Sequence, residues 1–225
     1  MIYRSFSTLA CLALFSTATA LAEEETGDLT FDGLVAIEDA RVGMAYVDPD
    51  ADFTVFSRVA IMDPYVAFRT NWQREQNRQR GRRVSDGDME RIKADVADLF
   101  RDVFIEVLEA ENGFTVVNGA ADDVLLLRPA IIELDITAVD RNTAGRQNTF
   151  TATTGSATLY IELFDSTTGA ILGRAADRGV ARNAGNQVTW SNRVTNRADA
   201  RRMFRGWATS LRQFLEENYM KPSSD

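Results

Sequence analysis

Apolar residues recur along this chain with two different periods. Ile92, Val96, Leu99, Phe100, Val103, Val107 and Leu108 follow helical spacing, which lays one apolar stripe along a helix. Ser85-Asp86-Gly87-Asp88 reads as a capping signal ahead of them and Asn112-Gly113 as a stop behind them. The spacing therefore predicts a helix from about Asp88 to Glu111, roughly 36 Å long. A second amphipathic helix starts near Asn196, has Asp199 in its first turn, and turns Met203, Phe204, Trp207, Leu211, Phe214 and Leu215 inward before Pro222 ends it.

Between and before these helices the pattern changes to that of strands. Arg58 to Phe68 is β-branched and aromatic enough for a strand, with Pro64 at an edge or a bulge. Phe114 to Val117 and Val124 to Leu127 are short apolar strands, and Ile132, Leu134, Ile136 and Ala138 alternate with Glu133, Asp135 and Thr137. Phe150 to Phe164 and Ala170 to Ala181 read as a hairpin around Asp165-Ser166-Thr167-Thr168-Gly169, whose glycine can take the positive φ of a tight turn. Two polar loops are expected, an arginine-rich one at about 70–84 and an Asn- and Gly-rich one from Arg182 to Thr195 around Trp190. The predicted fold class is α+β: a two-layer sandwich in which a mainly antiparallel sheet is packed by a long central helix and a C-terminal helix.

The first residues change the picture of where the chain works. Arg4, the apolar run Leu9 to Phe15 and Ala20-Leu21-Ala22 form the three regions of an export signal over residues 1–22. Residues 23–225 then form a single α+β domain, exported and periplasmic, with possible association to the outer membrane. No later segment approaches the roughly 20 apolar residues of a transmembrane helix. Cys11 lies within the signal with Thr8, not a leucine, three positions upstream, which argues against a lipid anchor.

Composition then removes chemistry. The chain has no histidine and one cysteine, Cys11, so the exported part has no disulfide and no Ser-His-Asp or Cys-His apparatus. Zinc would have to rely on carboxylates alone. The net charge of −8 becomes −9 when Arg4 leaves with the signal, which together with export speaks against nucleic acid as a partner. All 25 basic residues except Lys93 and Lys221 are arginine, and neither lysine is placed to activate a serine.

Several segments carry a resemblance. Leu126-Leu127-Arg128-Pro129-Ala130-Ile131, Gly155-Ser156-Ala157, Glu162-Leu163-Phe164-Asp165-Ser166-Thr167-Thr168-Gly169, Asp177-Arg178 and the closing Trp207 and Leu211 together resemble bacterial envelope proteins grouped as domain-of-unknown-function family 3313. The resemblance runs from about Phe31 to Glu217. It implies an exported envelope protein, in a family whose members include lipoproteins, and supplies no catalytic residues. The missing lipobox is the departure.

Individual motifs read mostly as structure. Asp48-Pro49-Asp50-Ala51-Asp52 has the alternating acids of a calcium loop, but Phe53 and Val59 stand where glycine and the bidentate glutamate are needed. Asp165 to Gly169 has serine and two threonines between the acid and the glycine, unlike an aspartic-protease turn. Glu133 and Asp135 share one strand face. The positive signal is Arg69, Trp72, Arg74, Arg78, Arg80, Arg82 and Arg83, whose guanidinium forks suit phosphate or carboxylate groups; the plain alternatives are a flexible linker kept soluble by charge and a frayed extension of the first helix neutralised by nearby acids. The sequence thus points to a non-catalytic envelope protein that uses no cofactor or metal and binds a protein partner or an anionic envelope component. A carboxylate-dependent hydrolase of envelope polysaccharide is one rival, and a small-ligand carrier with an enclosed apolar cavity is the other.

Overall fold

A computed structural model describes residues 30–79, 83–136, 155–180 and 193–219. The expected export signal, Arg80, Arg82 and the loop expected around Trp190 lie outside the described residues. The elements in order are β1 (Val35–Ala36), β2 (Met44–Val47), a 3-10 turn (Phe53–Val55), β3 (Arg58–Ile61), β4 (Tyr65–Phe68), α1 (Trp72–Gln79), α2 (Asp86–Leu108), β5 (Thr115–Val117), β6 (Val124–Asp135), β7 (Ser156–Asp165), β8 (Ile171–Val180) and α3 (Arg193–Tyr219).

The fold is α+β, one sheet packed against helices. The strand order is β1-β2-β8-β7-β6-β3-β5, with β4 also pairing β6. The long pairings β6/β7 and β7/β8 are antiparallel, while β3/β5, β3/β6 and β4/β6 are parallel, so the sheet is mixed. Parallel neighbours need a crossover, and α2 supplies it between β3 and β5.

Local chemistry explains the boundaries. Ser85 and Asp88 form a reciprocal capping box, and α2 starts at Asp86, two residues ahead of the expected position. At its other end Phe114 N donates to the Leu108 carbonyl. A Cβ on Gly113 would lie 2.0 Å from that same oxygen, so only glycine fits this close return. The hairpin forms as expected: Gly169 has φ +70° and Asp165 Oδ1 accepts from the Thr167 and Thr168 amides.

The expected single strand Arg58 to Phe68 is broken at Met62–Pro64, and both halves run parallel to β6. The two strands expected within 124–138 are one, β6, continuous through Pro129. The two observations explain each other. Alternate residues of a strand present their backbone groups to opposite neighbours. Leu127 accepts from Met62 N on the β3 side, so Pro129, two residues on, turns its missing N–H to the same side, where the partner strand is interrupted. Further along, Glu133 has φ +52° beside a register shift. This bulge swaps the buried parity from Leu125, Leu127 and Ile131 to Leu134 and Ile136.

Inward residues of β7 (Ala157, Leu159, Ile161, Leu163) meet Phe100, Val103 and Phe104 of α2 and Phe204, Trp207 and Leu215 of α3 in one apolar core. The helices also grip each other. Glu106 pairs with Arg201 and Arg205, and Arg212 donates to the Val107 and Ala110 carbonyls, capping the negative end of α2. Among the described residues no helix is long and apolar enough to cross a membrane.

Candidate functional site

Two concave regions carry the candidate chemistry. The first is the arginine segment, and here the expected loop is corrected: residues 72–79 form α1. Trp72 anchors that helix. Its ring stacks on Phe68 at 4.1 Å and its Nε1 donates to the Ile136 carbonyl at 2.7 Å, leaving it 1% exposed. Gln73 and Asn77 bond to Val84 and Asp86 and tie α1 to the start of α2. Arg69 is bridged by Glu75 at 2.6 Å and by Asp135 at 2.8 Å. The hydrogen bond with Glu75, then that with Asp135, raises the Arg69 pKa, and the same Arg69 bond holds the Glu75 carboxyl below its usual range.

The expected contact set is therefore divided. Trp72 is core, and Arg69 is half-buried and paired with two carboxylates. Asp135 serves that bridge rather than a face shared with Glu133. Arg74, Arg78 and Arg83 are exposed and form no salt bridge among the described residues. Arg69, Trp72 and Arg74 do line one polar groove, with Asn71, Gln73 and Lys93, of about 490 Å³. Lys93 is itself paired to Glu90.

The second region lies between α3 and the β1, β2 and β8 side of the sheet. Its cause is a run of small residues on the helix-facing side. Register places Ala45 of β2 beside Ala175 of β8, and Ala175 beside Ile161 of β7, while Gly173 stands opposite Leu163. Small side chains there leave a space that Trp207, Leu211 and Phe214 of α3 span without filling. The result is a partly open apolar cavity of about 210 Å³, walled also by Phe104, Leu159, Ile161 and Leu163. Nearby, Gly179 has the opposite role: a Cβ on it would lie 2.3 Å from Met203 Sδ and 2.8 Å from Trp207 Cζ2, so α3 sits directly on β8 at that point.

Charged groups stand at the rim, and they are engaged with each other. Asp177 accepts from Trp207 Nε1 at 2.8 Å and from Gly43 N at 3.0 Å, one bond to each oxygen. Arg41 bridges Glu217 at 2.5 Å, joining the β1–β2 loop to α3. Arg174 pairs with Asp32. Asp39 is exposed. Sequence reading missed this site because its makers are alanine and glycine, which show no chemistry until strand register brings them together.

Carboxylates elsewhere do not assemble a centre. Among the described residues no group of three His, Cys, Asp or Glu is placed to hold a metal ion. Asp48 and Asp52 cap their own turns, accepting from Asp50 N and Thr54 N. Burial, and then the neighbouring Asp98, push the Asp95 carboxyl above its usual range, but Asp95 is on α2 and does not line the cavity. On the sheet's other face, Arg128 bridges Glu162 and lies over the Phe164 ring at 4.7 Å. Tyr160 donates to Glu162, and its hydroxyl is pushed up to about 12 by burial and then by that bond.

Comparison with known proteins gives a family and distant folds. The PelC dodecamer from Paraburkholderia phytofirmans is 12% identical with a TM-score of 0.39, over 72% of this chain and 91% of its own. Protein XCC0632 from Xanthomonas campestris is 12% identical with a TM-score of 0.35, over 80% and 92%. The hypothetical protein CT253 from Chlamydia trachomatis is 10% identical with a TM-score of 0.38, over 71% and 98%. Likeness this distant carries no inference about function. No curated protein matches the sequence. The sequence model described as "Protein of unknown function (DUF3313)" matches residues 27–211, from ahead of β1 into α3, and the chain therefore belongs to the DUF3313 family.

Proposed function

We propose that this protein is an exported, non-catalytic component of the cell envelope that acts by binding. One observation carries this reading: the cavity beneath α3 has apolar walls, and two of its three rim carboxylates, Asp177 and Glu217, are held in structural bonds. A glycosidase needs two carboxyl groups free to act as acid and as base or nucleophile across a sugar. Here both Asp177 oxygens hold protein N–H groups, and Glu217 holds Arg41. The purified chain should release no soluble product from peptidoglycan or other envelope polysaccharide over prolonged incubation. Release that disappears in the Asp39→Asn or Asp177→Asn variant would reverse the assignment to a hydrolase.

A second surface favours a partner. Arg74, Arg78 and Arg83 are exposed and carry no salt bridge among the described residues, which suits an anionic envelope component or an acidic protein. In-cell crosslinking of the wild type against an Arg74→Gln, Arg78→Gln, Arg83→Gln variant tests it. Adducts lost in the variant support this surface; the same adducts in both move the contact elsewhere.

A further inference from the structure

We infer that the cavity beneath α3 binds one small neutral apolar ligand, a single ring system or a short aliphatic chain, reached past the loop 37–43. This rests on the reading that the protein binds rather than transforms. Size comes first. A cavity of about 150 Å³ lined by aliphatic and aromatic side chains stays dry and takes up benzene; the present one is about 210 Å³, room for somewhat more than one ring. Its walls give such a ligand mainly dispersion contacts, since Trp207 already directs its Nε1 to Asp177 and Tyr46 and Ser210 are the hydroxyl side chains in the lining. Apolar molecules gain most there, since unpaired polar groups lose their water on moving inside.

Charge at the mouth decides the head group. Both guanidiniums already face a carboxylate, Arg41 that of Glu217 and Arg174 that of Asp32, with the buried Arg174 Nε left without a hydrogen-bond partner among the described residues, and Asp39, Asp177 and Glu217 add negative charge around the mouth. An anionic amphiphile would have to displace an existing bridge beside like charge. A neutral molecule meets no such opposition. The loop 37–43 forms one wall and is fastened at two points, Arg41 to Glu217 and Gly43 N to Asp177; releasing the first opens the loop toward α3.

The test is fluorescence titration of the purified chain with the neutral probe N-phenyl-1-naphthylamine, followed by displacement with octanol and with octanoate. Saturable one-to-one binding is expected, with octanol displacing the probe about tenfold more effectively than octanoate. Ala175→Leu, which puts a side chain into the void, should reduce probe affinity by about tenfold or more while keeping the native circular dichroism spectrum, and Ala45→Leu serves as an independent filling variant if that one fails to fold. Absence of saturable binding overturns the inference. So does undiminished binding in folded filled variants, and octanoate displacing better than octanol overturns the neutral class. The polysaccharide-release assay separates this failure from that of the binding reading, which falls if soluble product is released and that release disappears in the Asp39→Asn or Asp177→Asn variant.

Discussion

The groove at α1 and the cavity beneath α3 are built by opposite means. The groove is crowded with the residues a reader of sequence notices, arginines around a tryptophan, yet Trp72 and Arg69 are consumed by the fold itself, one in the core and one between two carboxylates. The cavity is made by Ala45, Gly173 and Ala175, residues that carry no chemistry of their own. Conspicuous side chains are often needed to hold an element in place; absent side chains are what leave room for something else.

Five predictions strain this contrast, from the largest effect to the smallest. Trp72→Ala removes a buried stacked ring and a bond to Ile136, and should destabilise the protein by about 3–5 kcal/mol in urea or guanidinium unfolding; a loss under about 1 kcal/mol would mean that α1 is not anchored as described. Next come two insertions beneath α3. Gly179→Val drives into Met203 and Trp207 and should cost about 1–3 kcal/mol, whereas Ala175→Leu enters empty space and should be neutral or stabilising by up to about 1 kcal/mol. Equal costs for the two in thermal melts would show that the cavity is not there.

The third prediction concerns the clasp between helices. The bond to Arg205, with the charge of Arg201 assisting, lowers the Glu106 pKa in the folded state. A carboxyl lowered by folding stabilises above its unfolded pKa and loses that contribution as pH falls through the folded value. Glu106→Gln should therefore be less stable than wild type at neutral pH, with a gap that closes on acidification; a gap widening in acid would contradict the clasp. Asp95 runs the other way. Burial raises it, so its charged form opposes folding at neutral pH, and Asp95→Asn should gain slightly there and not in acid. The smallest effect belongs to Arg74→Gln with Arg78→Gln, within about 0.5 kcal/mol by denaturant unfolding, as expected for exposed side chains with no bridge among the described residues.

Much of the fold was legible in local pattern. The period of Ile92 to Leu108 and the capping box at Ser85 specify α2 because helix geometry is set by neighbours three and four residues apart. The 165–169 turn is equally local, resting on one glycine and one aspartate. What was not legible depended on partners far along the chain. Residues 124–138 were read as two strands, and they join through Pro129 because its missing donor faces a gap in the neighbouring strand; that gap, at Met62–Pro64, lies more than sixty residues away. The arginine segment was read as a loop because its apolar residues are few; its helix is held by Trp72 reaching Ile136 and by Gln73 and Asn77 reaching residues 84–86.

The sequence by itself determined the two long helices, most strands, the hairpin, the α+β class and the family, since these follow from short-range periodicity and motif. Tertiary structure alone decided which arginines remain available and where a ligand fits. Both depend on register between distant strands and on the seating of α3 over small residues, and a cavity is defined by atoms that no single stretch of chain supplies.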